Sequence, residues 1–328
     1  MMEKRRLGKT GRNVSIVGLG TWQLGADWGA VGHGQAQAVL AAAVDSGVTF
    51  FDTADVYGDG HSEQAIGTFL ADNPGLDITV ATKMGRRLEQ LPGNYNLANF
   101  REWVDRSRRN LGTDCLDLVQ LHCPPTAVYS SAEVYDALDT LVADGAIRNY
   151  GVSVERTDEA LEAIRHPGTA TVQIILNAFR LKPLDEVLPA AEAAGVGIIA
   201  RVPLASGLLS GKYSGETSFP ANDHRNFNRT GSAFDVGETF SGVDYEQGLK
   251  AVAEFEELVP DGVSTAQAAI AWIAAQDGVS TVIPGARTVD QVRSNAEAAG
   301  ASGIDATFDV GVREIYDRYF RASIHPRW

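Results

Sequence analysis

Cysteine is almost absent from this chain. Its two cysteines, Cys115 and Cys123, are too few for a disulfide framework and lack the spacing of a metal site. Positive charge is also short: 28 Lys and Arg stand against 42 Asp and Glu, a net charge of −14. That balance speaks against a nucleic-acid partner or an anionic membrane surface. It leaves room for an anionic cofactor, because backbone donors and one or two arginines in a pocket outweigh the global field. No apolar run reaches membrane-spanning length, and the opening Met-Met-Glu-Lys-Arg-Arg has no apolar signal-peptide core. The chain is therefore expected to be cytoplasmic. A linker between halves is missing, and so is the Gly-x-Gly-x-x-Gly of a dinucleotide-binding turn. Gly18-Leu19-Gly20-Thr21-Trp22 begins like that motif and breaks off.

What is present is repetition. Strand-like runs fall at Val17–Leu19, Val48–Asp52, Ile78–Lys83, Leu116–His122, Tyr150–Val152, Thr171–Ile175, Gly197–Arg201 and Val279–Ile283. Ala-rich amphipathic segments alternate with them, among them Gln35–Ser46, Phe100–Leu111, Ser131–Asp144 and Asp185–Ala194. Eight strands alternating with helices predict one (β/α)8 TIM barrel domain over residues 1–328, with a doubly wound sheet as the alternative. Lys4–Leu7 and Asn13–Ile16 flank a Gly-Lys-Thr-Gly turn and predict an N-terminal β-hairpin. Leu208–Asp244 is a long segment without periodicity, followed by two helical patterns, Tyr245–Leu258 and Thr265–Ala275. With few aliphatics to bury, the long segment is expected to be mobile until a ligand orders it. The competing reading has Phe219, Phe227, Phe234 and Phe240 packing it onto the barrel rim.

Catalytic groups of such barrels come from the C-terminal ends of the strands. Here those ends carry Asp52, Lys83 and His122 on three consecutive strands, with Tyr57 in the Gly-rich loop just beyond the first of them. Neighbouring parallel strands are about 4.8 Å apart, so these groups converge. A tyrosine beside a lysine that a carboxylate holds charged is suited to protonating an oxygen that becomes alkoxide-like. The lysine is expected to lower the tyrosine's pKa. No activated Ser or Cys nucleophile is apparent. Lys83 as a Schiff-base former of a barrel lyase is the alternative, which a carboxylate partner opposes. Carbonyl reduction fits better, and because no side chain supplies hydride, it requires a nicotinamide.

The motifs resemble the aldo-keto reductase superfamily. They are Gly47-Val48-Thr49-Phe50-Phe51-Asp52-Thr53-Ala54 with Tyr57-Gly58, Ser62-Glu63 and Gly67; Thr82-Lys83; Asp117-Leu118 with Leu121-His122; and Gly151-Val152-Ser153. Val172-Gln173 with Asn177, Pro203-Leu204 with Gly207, Gly211 and Lys212, and Ile283-Pro284-Gly285-Ala286-Arg287 with Asn295 continue the match. The order of the later motifs is similar to the branch of bacterial reductases and potassium-channel β-subunits. The resemblance implies a soluble enzyme that reduces an aldehyde or ketone with NADPH. Tyr57 would be the general acid, Lys83 and Asp52 would tune it, and His122 would orient the carbonyl. It implies a dinucleotide bound without a Rossmann motif. Thr21, Trp22, Asp52, Ser153, Gln173 and Arg201 would lie at its nicotinamide end. Pro203, Leu204, Ser206, Gly207 and Lys212 would border the pyrophosphate, with Arg225 as a further anchor. Gly285, Arg287, Gln291 and Asn295 would lie at the adenosine end, with Arg287 facing the 2′-phosphate.

Two positions depart from the family pattern. Val154 replaces a common Asn. Arg201 stands where relatives stack an aromatic on the nicotinamide; its charge is expected to disfavour NADP⁺, unless a salt bridge elsewhere engages it. Substrate selection is expected from Trp22, Trp28, Met84, Tyr95, Cys123 and Arg180, the aromatics favouring an apolar or ring-bearing carbonyl and Arg180 an anionic or sugar substrate. A small-molecule carbonyl compound is the expected partner, and the sequence is compatible with a homo-oligomer. A cofactor-binding regulatory subunit with slow redox activity is the rival reading.

Overall fold

Alternating inward and outward residues on short strands build a closed ring. The computed structural model describes residues 2–25, 32–221, 223–233 and 235–328; Trp28 and Phe234, two residues singled out above, lie outside them. Strands β1 (Lys4–Arg6) and β2 (Asn13–Ser15) form the expected antiparallel hairpin. Eight parallel strands follow: β3 (Leu19–Gly20), β4 (Phe50–Asp52), β5 (Thr79–Met84), β6 (Leu116–His122), β7 (Ile147–Ser153), β8 (Thr169–Ile175), β9 (Gly197–Arg201) and β10 (Val279–Val282). Each hydrogen-bonds to the next in sequence. Parallel bridges from Val17 to Val282 and from Gly20 to Gly285 join the last strand to the first and close the barrel. The first strand lies slightly later than its apolar run suggested, and β7 extends beyond Tyr150–Val152 because Ile147, Asn149 and Ser153 also pair with β6.

The period-2 rule divides the ring's residues. Phe50, Ala81, Leu118 and Ile199 point into the lumen, where Leu7 and Val14 of the hairpin meet them and plug the lower end. Phe51, Val119, Leu121 and Ala200, one residue out of phase, face the surrounding helices. Continuing the inward phase toward the strands' C-terminal ends gives Asp52, Lys83, Gln120, His122 and Arg201. The barrel is thus apolar below and polar at its mouth.

The helices are fixed by caps as much as by apolar stripes. In the helix Leu97–Leu111, Phe100, Trp103, Val104, Ser107 and Leu111 are the buried face. It starts earlier than the apolar pattern alone predicts because the Asn96 side chain accepts a hydrogen bond from Asn99 N at 3.1 Å. Among the described residues no helix is long and apolar enough to cross a membrane.

The expectation that the segment after Leu208 has little to bury is corrected. Phe240 is buried, and its ring lies 5.8 Å from Phe219 and 5.1 Å from Tyr245. Arg225 and Arg229 stack over the same rings, and Trp328 Nε1 donates to Asp235 at 3.1 Å. Phe227 is exposed. Aromatic packing on the rim, the competing reading, accounts for this arrangement without requiring closure over a ligand.

The plug imposes a tight approach. Gly8 has φ 49, and a Cβ there would lie 2.2 Å from both Ala170 O and Gly197 N. Gly11 also has positive φ, at 72, but nothing lies within 4 Å of its Cβ position. Gly8→Ala is expected to lower unfolding free energy by about 2–5 kcal/mol from strain plus overpacking, whereas Gly11→Ala loses only about 1–2 kcal/mol. Urea unfolding of both variants checks this; equal losses would mean that the hairpin does not pack so closely against the barrel.

Candidate active site

Three strand ends and one loop build the centre of the mouth. Asp52 ends β4, Lys83 lies one residue from the end of β5, and His122 ends β6. Tyr57 follows β4 by a turn in which Tyr57 N donates to Ala54 O at 3.1 Å. Gly58 beside it has φ 58, and a Cβ there would collide with the Gly25 backbone, so only glycine fits.

The Lys83 ammonium is the hub. It donates to Asp52 Oδ1 at 2.5 Å, to Thr53 O at 2.8 Å and to the Tyr57 hydroxyl at 3.3 Å. Asp52 Oδ2 accepts from Gln173 Nε2 at 2.7 Å and from Gln120 Nε2 at 3.2 Å. Asp52 and Lys83 are 2% and 1% exposed, so the pair is cut off from water. The His122 ring meets the Tyr57 ring edge-on at 5.9 Å. The structure thus brings Asp52, Tyr57, Lys83 and His122 together and adds Gln120, which sequence reading missed. Gln120 lies two residues before His122 on the same strand, so strand alternation places it on the inward face.

Electrostatics separate the roles these groups can take. Burial opposes the charge on Lys83, but Asp52 and then Tyr57 outweigh it and raise the ammonium above its ordinary range. Burial, with the Asp52 charge adding to it, raises the Tyr57 phenol above its ordinary value; Lys83 pulls the other way. The expectation that Lys83 lowers this pKa is therefore corrected: its pull is real, but burial is larger. His122 is pushed well below its usual value by burial and then by Arg86, Lys83 and Arg201. At neutral pH the site holds a charged lysine, a protonated tyrosine and a neutral histidine. The tyrosine thus keeps its proton beside a fixed cation.

Comparison with known proteins agrees with this geometry. The aldo/keto reductase family profile matches residues 16–306. The chain belongs to the aldo/keto reductase family. It is 28% identical over 322 residues to the aldo-keto reductase yakc [NADP(+)] of Schizosaccharomyces pombe, covering 95% of this chain and 90% of that one. It is 32% identical over 311 residues to a probable voltage-gated potassium channel subunit beta of Oryza sativa, covering 90% and 91%. The structure of the glycerol dehydrogenase AKR11B4 from Gluconobacter oxydans superimposes with a TM-score of 0.81 at 31% identity, covering 99% and 98% of the two chains. Membership makes this chain a nicotinamide-dependent oxidoreductase.

A cavity of about 180 Å³ opens beside this reductase's Tyr57. It is lined by Trp22, Val56, Tyr57, Arg86, His122, Ser153, Gln173, Arg201 and Glu238. Arg201 is in a salt bridge: Nη1 lies 2.9 Å from Glu238 Oε1 and Nη2 lies 3.1 Å from Glu155 Oε1, while Nη2 donates to Val154 O at 3.0 Å. Its charge is balanced, so the expected bias against an oxidised nicotinamide loses its basis. Cys123, Glu155 and Glu238 present ligand-type atoms within 4.8 Å of one another. The guanidinium of Arg201 takes the place among them that a metal ion would take. Burial and then the Glu155 charge push the Cys123 thiol up to about 12, so it is inert at neutral pH.

Several expected contacts are corrected. Thr21 is fully buried and its hydroxyl donates to Asp52 O at 2.9 Å, which removes it from the cofactor surface. Met84 is core. Tyr95 is buried against Phe100 and Trp103, with its hydroxyl donating to Gln90 at 2.8 Å. Arg180 is buried beneath Trp328, 4.3 Å from its ring, and donates to Glu155 O. None of these four lines the cavity. Arg225 is paired bidentately with Asp223 and stacked on Phe219, so it is committed within its own segment.

The remaining cofactor candidates lie along one side of the mouth. Val202, Ala205, Ser206 and Gly207 all have positive φ, at 54, 46, 56 and 98, a run of strained backbone beyond β9. The Ser206 hydroxyl donates to Glu238 O and accepts from Phe240 N. Pro203 is buried, Leu204 half-buried, and Lys212 exposed. Gly285 lies under the Gln23 amide and accepts from Asn295 Nδ2 at 3.2 Å. Gln291 Oε1 accepts from Arg287 N at 2.7 Å. The Arg287 guanidinium makes no hydrogen bond or ion pair to any described residue.

The loop between Asp52 and Tyr57 also holds a misplaced charge. Asp55 is fully buried, and neither carboxylate oxygen has a hydrogen-bond partner among the described residues. Burial, and then the Glu63 charge, raise its pKa to about 7. A raised carboxylate stabilises the fold below its unfolded value near 4 and loses that contribution as pH rises through the folded value near 7. Between pH 4 and 8, wild type should lose about 2–4 kcal/mol of stability relative to Asp55→Asn. Urea unfolding at pH 4, 6 and 8 reads the difference; parallel pH profiles for the two proteins would refute it.

Proposed function

We propose that this protein is an NADPH-dependent carbonyl reductase in which Tyr57 protonates the oxygen of an aldehyde or ketone. The observation that carries this reading is the Lys83 ammonium held between Asp52 Oδ1 and the Tyr57 hydroxyl at 2.5 and 3.3 Å. When bound, the dinucleotide supplies the hydride. Tyr57, protonated at neutral pH, gives its proton to the oxygen as negative charge develops there. The phenolate left behind faces a cation that Asp52 keeps charged, so the lysine acts where charge appears rather than on the ground state. Neutral His122 is suited to hydrogen-bonding the carbonyl oxygen and not to protonating it.

The described residues fit a dinucleotide. Gln173 uses its amide hydrogens on Asp52 and Gln120, which leaves its oxygen free to accept from a carboxamide, and Ser153 lines the same cavity. Arg287, without a side-chain partner among the described residues and beside the N-terminus of the helix Val289–Glu297, suits a 2′-phosphate. The fission yeast relative, whose name carries NADP(+), supports the same choice. The Schiff-base alternative is disfavoured, because it needs a neutral amine and Asp52 holds Lys83 as an ammonium.

Tyr57→Phe removes one hydroxyl and should leave NADPH binding intact while turnover falls by roughly 10²–10⁴. Stopped-flow and steady-state assays with a simple aldehyde measure both; a variant keeping more than half of wild-type turnover would show that another group is the acid. Arg287→Ala should weaken NADPH by about one to two orders of magnitude and leave NADH affinity unchanged. Fluorescence titration with each cofactor tests this, and equal wild-type affinities for the two would refute it.

A further inference from the structure

The wall of the cavity carries a guanidinium that the proton transfer does not use. Gly85, with φ 117, turns the chain off the end of β5, and a Cβ there would lie 2.8 Å from the Tyr95 ring. The turn brings Arg86 over β6, where its Nε donates to His122 O at 3.0 Å. That bond fixes the side chain and leaves Nη1 and Nη2 without a hydrogen bond among the described residues. Nη2 forms a long ion pair with Glu155 Oε1, 3.8 Å away, which is too far for a hydrogen bond. Arg86 is 29% exposed at its side chain and lines the same cavity as Tyr57 and His122.

Two carboxyls and a second arginine surround it. Burial raises the Glu155 carboxyl. Burial acts the same way on Glu238, but Arg201 and Arg86 outweigh it and hold Glu238 low. Arg201 lies between the two carboxyls, 3.1 Å from Glu155 and 2.9 Å from Glu238. Arg201 spends its terminal nitrogens on Glu155, Glu238 and Val154 O. Arg86 keeps its pair free. A planar fork with both outer nitrogens free of hydrogen bonds to described residues, on the wall of the pocket, matches a carboxylate bidentately. The cavity, about 180 Å³, is shared with Ser153 and Gln173 on its cofactor side.

We propose that Arg86 anchors a carboxylate on the substrate, so that the reductase acts on small oxo acids rather than neutral carbonyl compounds. The guanidinium suited to an anionic substrate is thus Arg86, which sequence reading passed over, and not the buried Arg180. The inference rests on the carbonyl-reductase reading. In the reaction the carbonyl carbon gains hydride from NADPH, the oxygen gains the Tyr57 proton, NADP⁺ is formed, and the carboxylate is unchanged.

Matched substrates test it. Steady-state NADPH oxidation would be compared for succinic semialdehyde against butanal and for 4-carboxybenzaldehyde against methyl 4-formylbenzoate. The acid of each pair should have a kcat/KM about 10–100-fold higher than its neutral partner, mainly through KM. Arg86→Met should bring both ratios close to one, and Arg86→Lys should restore part of the preference. Turnover of the neutral compounds without an acid preference, or a ratio unchanged in Arg86→Met, would overturn the anchor and leave the reductase reading standing. If Arg86→Met does not fold, the wild-type ratio and its value in Arg86→Lys decide. No NADPH oxidation with any of the four would overturn the reductase reading and the anchor with it.

Discussion

The ion pair between Lys83 and Asp52 is the constraint on which the site depends. A lysine that is 1% exposed would cost several kcal/mol if left alone. It is tolerable here because all three of its donors are matched, by Asp52, Thr53 O and the Tyr57 hydroxyl. Asp52 needs partners in turn, and its second oxygen receives Gln173 and Gln120. Four strands must hold register for these contacts to exist together. A slip of one residue in any of them would turn its polar group toward the helices and an apolar residue into the network. The bottom of the barrel protects that register with apolar packing. Leu7 and Val14 press on Phe50, Ala81, Leu118 and Ile199 two residues below the polar layer.

Much of this was legible because the signals are local. Each strand is a short apolar run ending on a polar residue, and repeating that unit eight times leaves few topologies. The tetrad could be read off the strand ends for the same reason. Gln120 was available on the same logic, one alternation below His122. What could not be read is any property set by contacts distant in sequence. Arg180, Met84 and Tyr95 occupy positions near the ends of barrel elements, as pocket residues do, and each is covered by something remote or bulky. Trp328 lies over Arg180, and Tyr95 is drawn into the cluster of Phe100 and Trp103. The group formed by Arg86, Arg201, Glu155 and Glu238 comes from three different connections and the end of β9, and no spacing links its members.

Global and local charge also part company. The chain has a net charge of −14, yet the mouth collects Lys83, Arg86 and Arg201, with Arg287 on a neighbouring loop. A Debye length of about 8 Å at physiological salt confines most surface charges to their own neighbourhood. Inside the mouth screening is weak, and the cations act on one another's partners. An anionic cofactor and, on the inference drawn from Arg86, an anionic substrate would be drawn to a small positive region on an otherwise acidic protein. The acidic exterior does not oppose this at short range and disfavours larger polyanions.

The same cations act in opposite senses on His122 and Tyr57. Arg86, Lys83 and Arg201 surround His122, and together with burial they keep a proton off its ring. Tyr57 lies beside Lys83 too, but a phenol responds in the opposite sense, since a nearby cation stabilises its ionised form. Burial more than cancels that pull while the site is at rest, so the proton stays on Tyr57. When negative charge grows on a bound carbonyl oxygen next to the hydroxyl, that resting balance changes. The proton has an acceptor, and the ammonium already in place stabilises the phenolate it leaves. The depressed histidine and the protonated tyrosine are thus two consequences of one arrangement of charge, fixed by the ends of three adjacent strands.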